Sequence, residues 1–74
     1  MNTSKSKSAR ARVAANVLRL RTERDWSQEG LAEAAGFHRT YVSQLERQVS
    51  NITVDNLQRL ATALRVDVME LLRD

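Results

Sequence analysis

The chain has 74 residues, with no cysteine, no proline, two glycines and a formal net charge of +3 at pH 7. That is room for one small domain; it excludes disulfides, thiolate metal ligands and Cys–His catalysis, and the lone His38 cannot build a metal site. No apolar run approaches the roughly 20 residues of a membrane span, and no signal-peptide core is present. The expectation is a cytoplasmic, non-enzymatic, cofactor-free protein whose small core is supported by oligomerisation.

The charge is uneven. Residues 1–24 hold seven basic residues against Glu23 alone, whereas residues 25–74 hold five arginines against eight acids. Residues 1–8 are rich in serine and lysine and poor in apolar side chains, and read as a flexible basic arm. A solvated tail and a non-specific phosphate-binding arm are equally good accounts of it. An acid-poor start of this kind also fits a transit peptide, but the helix beginning there belongs with the fold.

The first helix is predicted from Ala9 to about Arg24, where Val13, Val17 and Leu20 recur at i, i+4, i+7. Ser27 is a good N-cap for a second helix over Gln28–Ala35, with Trp26 packing on Leu31 as a hydrophobic staple. Gly30 stands where a capping box has Glu or Gln, and Gly36 ends the helix. A third helix runs from about Arg39 to Arg47, and Gln48–Ile52 reads as a loop. Thr53 caps a fourth helix carrying Val54, Leu57, Leu60, Ala61 and Leu64 at helical spacing. Arg65-Val66 breaks it, and Asp67 caps a last short helix, Val68–Leu72. The fold class is all-α, five short helices forming one domain over residues 9–74.

The stretch QEGLAEAAGFHRTYVSQLER, Gln28 to Arg47, sets two short helices either side of one glycine, with the small Ala32 permitting a close crossing. This is the helix-turn-helix layout. On the third helix Arg39, Thr40, Ser43, Gln44 and Arg47 share one arc, opposite Val42 and Leu45. Arg39 can address guanine bidentately, Gln44 adenine, and Thr40 the thymine methyl. From Arg39 to Gln44 is about 7.5 Å along the axis, enough for two or three base-pair steps. A solvated helix face is the plain alternative. Gln28 stands at the start of the second helix, where free N–H groups suit a phosphate. His38 either caps the third helix or touches phosphate. Tyr41, at the edge of the arc, fits a phosphate contact and simple packing equally well. Arg47, Gln48 and Asn51 are candidates for further backbone contacts, against a plain solvated loop.

RTERDWSQEGLAEAAGFHRTYVSQLERQ followed by VDNLQRLATALRV resembles the phage-repressor/Cro type of five-helix DNA-binding domain, over about residues 10–74. Within that family the size and the bare C-terminus most resemble the controller proteins of bacterial restriction–modification systems. The resemblance implies base contacts at Arg39, Thr40 and Gln44, and a phosphate contact at Gln28. It also implies a buried Arg21–Glu46 pair and a homodimer regulating its own operon. Glu29 and Glu33 match positions where a phage repressor carries acids that recruit RNA polymerase; a solvated helix face explains them equally well. The family often has glycine where Gln48 and Arg65 stand, so both loops depart from its pattern.

One recognition helix reads too few base pairs to single out a genomic site. Two helices related by a dyad read a palindrome with half-sites about 34 Å apart. The expected dimer seam uses Val66, Val68, Met69 and Leu72, which crowd a helix too short to bury them all, joined by Ile52 and Leu57. The alternative makes Val68, Met69 and Leu72 core. With these roles assigned, none of the 74 residues is left for a ligand-sensing domain, so control is expected through protein concentration. The expected partner is double-stranded DNA at the bacterial nucleoid. The rival readings are a phage-type repressor, a toxin–antitoxin regulator and, outside DNA binding, a helical adaptor.

Overall fold

Every helix begins where a side chain of the preceding residue accepts a backbone N–H from the first turn. In the computed structural model, which describes residues 8–74, Ser8 opens α1 (Ala9–Glu23) and Ser27 opens α2 (Gln28–Ala35). His38 opens α3 (Arg39–Glu46), and Thr53 opens α4 (Val54–Leu64). Apart from Ser8, the basic arm read from the sequence lies outside the described residues.

The last element corrects the sequence reading. Asp67 caps a single 3₁₀ turn, Val68–Leu71, in place of a fifth α-helix. Its bonds run from the Glu70 N–H to Asp67 O and from the Leu72 N–H to Met69 O, one residue tighter than α. A segment of one turn has too few residues to propagate an α ladder. Its later carbonyls are taken from outside instead. The Asn16 amide donates to Leu71 O at 3.1 Å and to Arg73 O at 2.8 Å. Asn16 is 7% exposed and is the polar member of an otherwise apolar buried set. The architecture is therefore four helices and a 3₁₀ turn, all-α. No helix among the described residues is long and apolar enough to cross a membrane.

The core draws one stripe from each element. Val17 of α1, Leu31 of α2, Val42 of α3, Leu60 and Leu64 of α4, and Leu71 of the 3₁₀ turn are all fully buried. Deleting any of these side chains to alanine removes apolar contacts from a small core, at a typical cost of about 2–5 kcal/mol.

Much of the positive charge of α1 is consumed in holding the fold. Arg10 donates to Asn51 Oδ1 at 2.6 Å, and Arg12 to Leu72 O at 3.2 Å. Arg24 donates to Leu20 O and to Leu64 O, tying the ends of α1 and α4 together. The basic first helix is a fastening for the C-terminal segment.

All four helices end in the same way, with the chain turned through a left-handed residue or a near neighbour of one. The 6→1 bonds Trp26 N to Arg21 O, Phe37 N to Ala32 O, Val49 N to Gln44 O and Val66 N to Ala61 O are those of Schellman closures. Only α2 uses glycine there, Gly36 at φ +76. Asp25, Gln48 and Arg65 take φ values of 57, 64 and 59 with a Cβ in place. Without a glycine, Gln48 and Arg65 still take the left-handed conformation, at a cost in strain.

Two substitutions should move stability in opposite directions in urea unfolding. Gly36→Ala places a Cβ 2.8 Å from Arg59 Nη2 and should lower stability by about 1–2 kcal/mol. Arg65→Gly relieves strain, offset in part by unfolded-state entropy, and should raise it by about 0.5–1 kcal/mol.

Candidate nucleic-acid interface

The C-terminal end of α3 is fastened by an ion pair. Arg21 of α1 meets Glu46 through two parallel bonds, Nε to Oε2 at 2.6 Å and Nη2 to Oε1 at 3.0 Å. The third arm of the fork, Nη1, donates to Trp26 O at 3.0 Å, and Gln28 Nε2 donates to Glu46 Oε1 at 2.9 Å. The two charged side chains are 14% and 9% exposed. Hydrogen bonds from Arg21 to Glu46 and the attraction between their charges raise the arginine pKa further, against the opposing effect of burial. The guanidinium is a permanent cation. A single cluster thereby joins α1, the α1–α2 loop, the start of α2 and the end of α3.

The other end of α3 begins two residues after Gly36. The Thr40 N–H donates to His38 Nδ1 at 3.2 Å, which leaves the neutral ring's own N–H on Nε2. Phe37 packs on Tyr41, with ring centroids 4.8 Å apart, and the Tyr41 hydroxyl accepts from Asn56 Nδ2 at 3.2 Å. Tyr41 is thus held by packing, while its O–H hydrogen remains available as a donor.

Between these fastenings lies the polar arc. Arg39 and Thr40 are exposed, and Ser43 and Gln44 are half-buried. None of the four side chains makes a hydrogen bond or ion pair among the described residues, and the same holds for Arg47 and Gln48. With most other arginines bonded to carbonyls or carboxylates, those left without a partner among the described residues are Arg39, Arg47 and Arg65. Two of these three flank the arc. An open polar cleft lined by Arg21, Ser27, Gln28, Glu29 and Arg39 brings the start of α2 beside the start of α3. Ser27 takes the Gly30 N–H, so the Gln28 and Glu29 N–H groups stand at the helix start without an intrahelical acceptor.

Other sequence candidates fall elsewhere. Asn51 accepts from Arg10 and lines an apolar groove in place of the polar cleft. Glu29 and Glu33 are exposed and line a shallow cleft with Phe37, His38 and Arg39. Met69 is 74% and Leu72 37% exposed, whereas Ile52, Leu57, Val66 and Val68 are half-buried against the core. The apolar groove runs between the start of α1 and the start of α4, and Val13, Ile52, Val54, Leu57 and Leu72 supply its apolar lining. Val54, 80% exposed, was missed from the sequence because its spacing to Leu57 matches that of a core stripe. Arg59, whose contacts with the α2–α3 turn are described below, gave no local signal at all.

Two helices joined at a left-handed glycine, the second offering an unpaired polar face, define a helix-turn-helix unit. Residues 17–71 match the helix-turn-helix family, and the chain belongs to it. It is 44% identical over 63 residues to a hypothetical transcription factor of Neisseria meningitidis, covering 85% of this chain and 59% of that protein. The solved structure of the Neisseria factor superposes with a TM-score of 0.87, at 42% identity, over 89% of this chain and 76% of that one. The control protein C.SmaI of Serratia marcescens is 45% identical over 60 residues, 81% of this chain and 71% of that protein. The restriction–modification controller protein C.AhdI from Aeromonas hydrophila superposes with a TM-score of 0.80 at 37% identity, over 84% and 94% of the two chains.

Breaking the Arg21–Glu46 pair from one side should be costly. Glu46→Ala leaves a nearly buried guanidinium without its carboxylate, with only the Trp26 carbonyl as acceptor, and the Gln28 amide unpaired, and should destabilise by about 3–5 kcal/mol. The double variant Arg21→Met/Glu46→Leu should recover most of that loss in the same denaturant titration, since no uncompensated charge remains.

Proposed function

We propose that this chain is a homodimeric, sequence-specific DNA-binding transcription regulator that controls a restriction–modification operon, its own gene included, according to its concentration. The observation that carries the reading is the unpaired polar arc of α3, held rigid at both ends. Laid in the major groove, the arc presents Arg39 to guanine, Gln44 to adenine, Thr40 to a thymine methyl and Ser43 to a neighbouring base edge. The start of α2 at Gln28 meets one phosphate, and Arg47 with Gln48 meets others beyond the helix. His38 and Tyr41 each retain one donor for the same backbone.

A second copy supplies the second half-site. Val54, Leu57 and Leu72 in the apolar groove, together with the exposed Met69 of the 3₁₀ turn, form the self-complementary seam. A seam built on so few exposed apolar side chains supports a dimer that forms over a working range of concentration. The names of C.SmaI and C.AhdI support the operon assignment, and the exposed Glu29 and Glu33 offer a surface for RNA polymerase when the operator lies upstream of a promoter. Residence with the bacterial nucleoid follows from that role.

The test is binding to a duplex selected by the wild-type protein from a random pool, compared with a scrambled duplex over a salt series. Arg39→Ala should cost about 1–3 kcal/mol and relax preference at one base position. Arg47→Ala should weaken both duplexes alike and reduce the slope of log K against log salt by about 0.9. Equal wild-type affinity for the two duplexes would sink the reading. For the seam, Val54→Asp should shift the protein to monomer in sedimentation at micromolar concentration while leaving its helical signal intact.

A further inference from the structure

Arg59 of α4 reaches across to the turn between α2 and α3. Its Nε and Nη2 donate to Ala35 O at 3.3 and 3.1 Å, and Nη2 also donates to Gly36 O at 2.6 Å. The guanidinium carbon lies 4.1 Å from the centroid of the Phe37 ring. Phe37 packs on Tyr41, and Tyr41 is bonded to Asn56, one turn before Arg59 on the same helix. The contacts close a circuit from α4 through the turn to α3 and back. No carboxylate among the described residues pairs with Arg59. Its charge is met by the carbonyls that α2 leaves open at its C-terminus and by an aromatic face.

The mechanical consequence follows from where α3 is held. Its C-terminal end is pinned by the Arg21–Glu46 bonds. Its N-terminal end, which bears Arg39 and Thr40, packs on α2 and follows directly from the turn of residues 36–38 that Arg59 grips. With eight residues at 1.5 Å each, a tilt of about 10° about the pinned end moves the other end by about 2 Å. Base readout tolerates about 0.5 Å. We infer that Arg59 is a positioning residue for base readout: gripping the Ala35 and Gly36 carbonyls and the Phe37 face, it sets the tilt of α3 and so the placement of Arg39 and Thr40. This rests on the reading of α3 as the base-reading helix.

The experiment uses the full chain, with Arg59→Gln and, as the variant that keeps the charge, Arg59→Lys. Dissociation constants for the selected and the scrambled duplex are measured across a salt series, well below each variant's unfolding midpoint. The ratio of the two should fall about tenfold for Arg59→Gln and by less for Arg59→Lys, which lacks the fork. Affinity for the scrambled duplex and the salt slope should stay at wild-type values, and the lost discrimination should fall at the position lost in Arg39→Ala. A ratio unchanged in both folded variants, with only the unfolding midpoint lowered, would overturn the inference and leave Arg59 a structural residue. A shallower salt slope with equal weakening on both duplexes would overturn it in favour of a phosphate contact. Wild-type protein without preference between the duplexes would instead remove the DNA reading itself.

Discussion

The bidentate contact between Arg21 and Glu46 is the constraint on which the rest of the structure depends. It joins a residue near the end of α1 to the last residue of α3, 25 positions later in the chain. By accepting from Gln28 as well, Glu46 fixes the start of α2 relative to the end of α3. Desolvating two charges carries a large penalty, which this geometry offsets by giving each carboxylate oxygen and each arm of the guanidinium fork a partner. A hydrophobic pair of the same volume could hold the helices as firmly. It would not set their relative rotation with three directional bonds.

That arrangement changes what the net charge means. The basic N-terminal third suggests an electrostatic surface for nucleic acid, yet Arg10, Arg12, Arg19, Arg21 and Arg24 all bond to protein groups. What remains unpaired is small and local: Arg39 and Arg47 beside a row of neutral donors and acceptors. On the proposed reading, recognition is carried by geometry more than by field strength. Long-range steering by the described residues should be modest, because most of their arginines are bonded within the protein and Glu29 and Glu33 line a cleft with Arg39.

The limits of legibility follow from the range of each interaction. Caps act over two or three residues, and Ser27, Thr53 and Asp67 were identifiable as such from their neighbours, while His38 stood open between a cap and a phosphate contact. The heart of the core was legible because Val17, Leu31, Val42 and Leu60 sit in helical periodicities. The 3₁₀ turn was not, since one turn of chain shows no period, and its conformation is settled by Asn16 from 55 residues away. Arg59 and Asn56 carry no local signal in the sequence, because the carbonyls and hydroxyl they hold belong to other elements. Val54 misleads for the opposite reason: its spacing is that of a core residue, but α4 turns it outward at its first position. The polar arc itself was plain in the sequence. That its side chains are left without partners could be learned only from the structure, once every competing acceptor had been placed.

The central claim is that α3 meets DNA with its unpaired arc while α1 serves the fold. Backbone amide shifts followed by NMR during titration with the selected duplex test it most directly. The account predicts the largest changes at Arg39, Thr40, Ser43 and Gln44, with a second group at Gln28 and Glu29, and small changes along Arg12–Arg24. Changes concentrated on the arginines of α1, with α3 undisturbed, would contradict it.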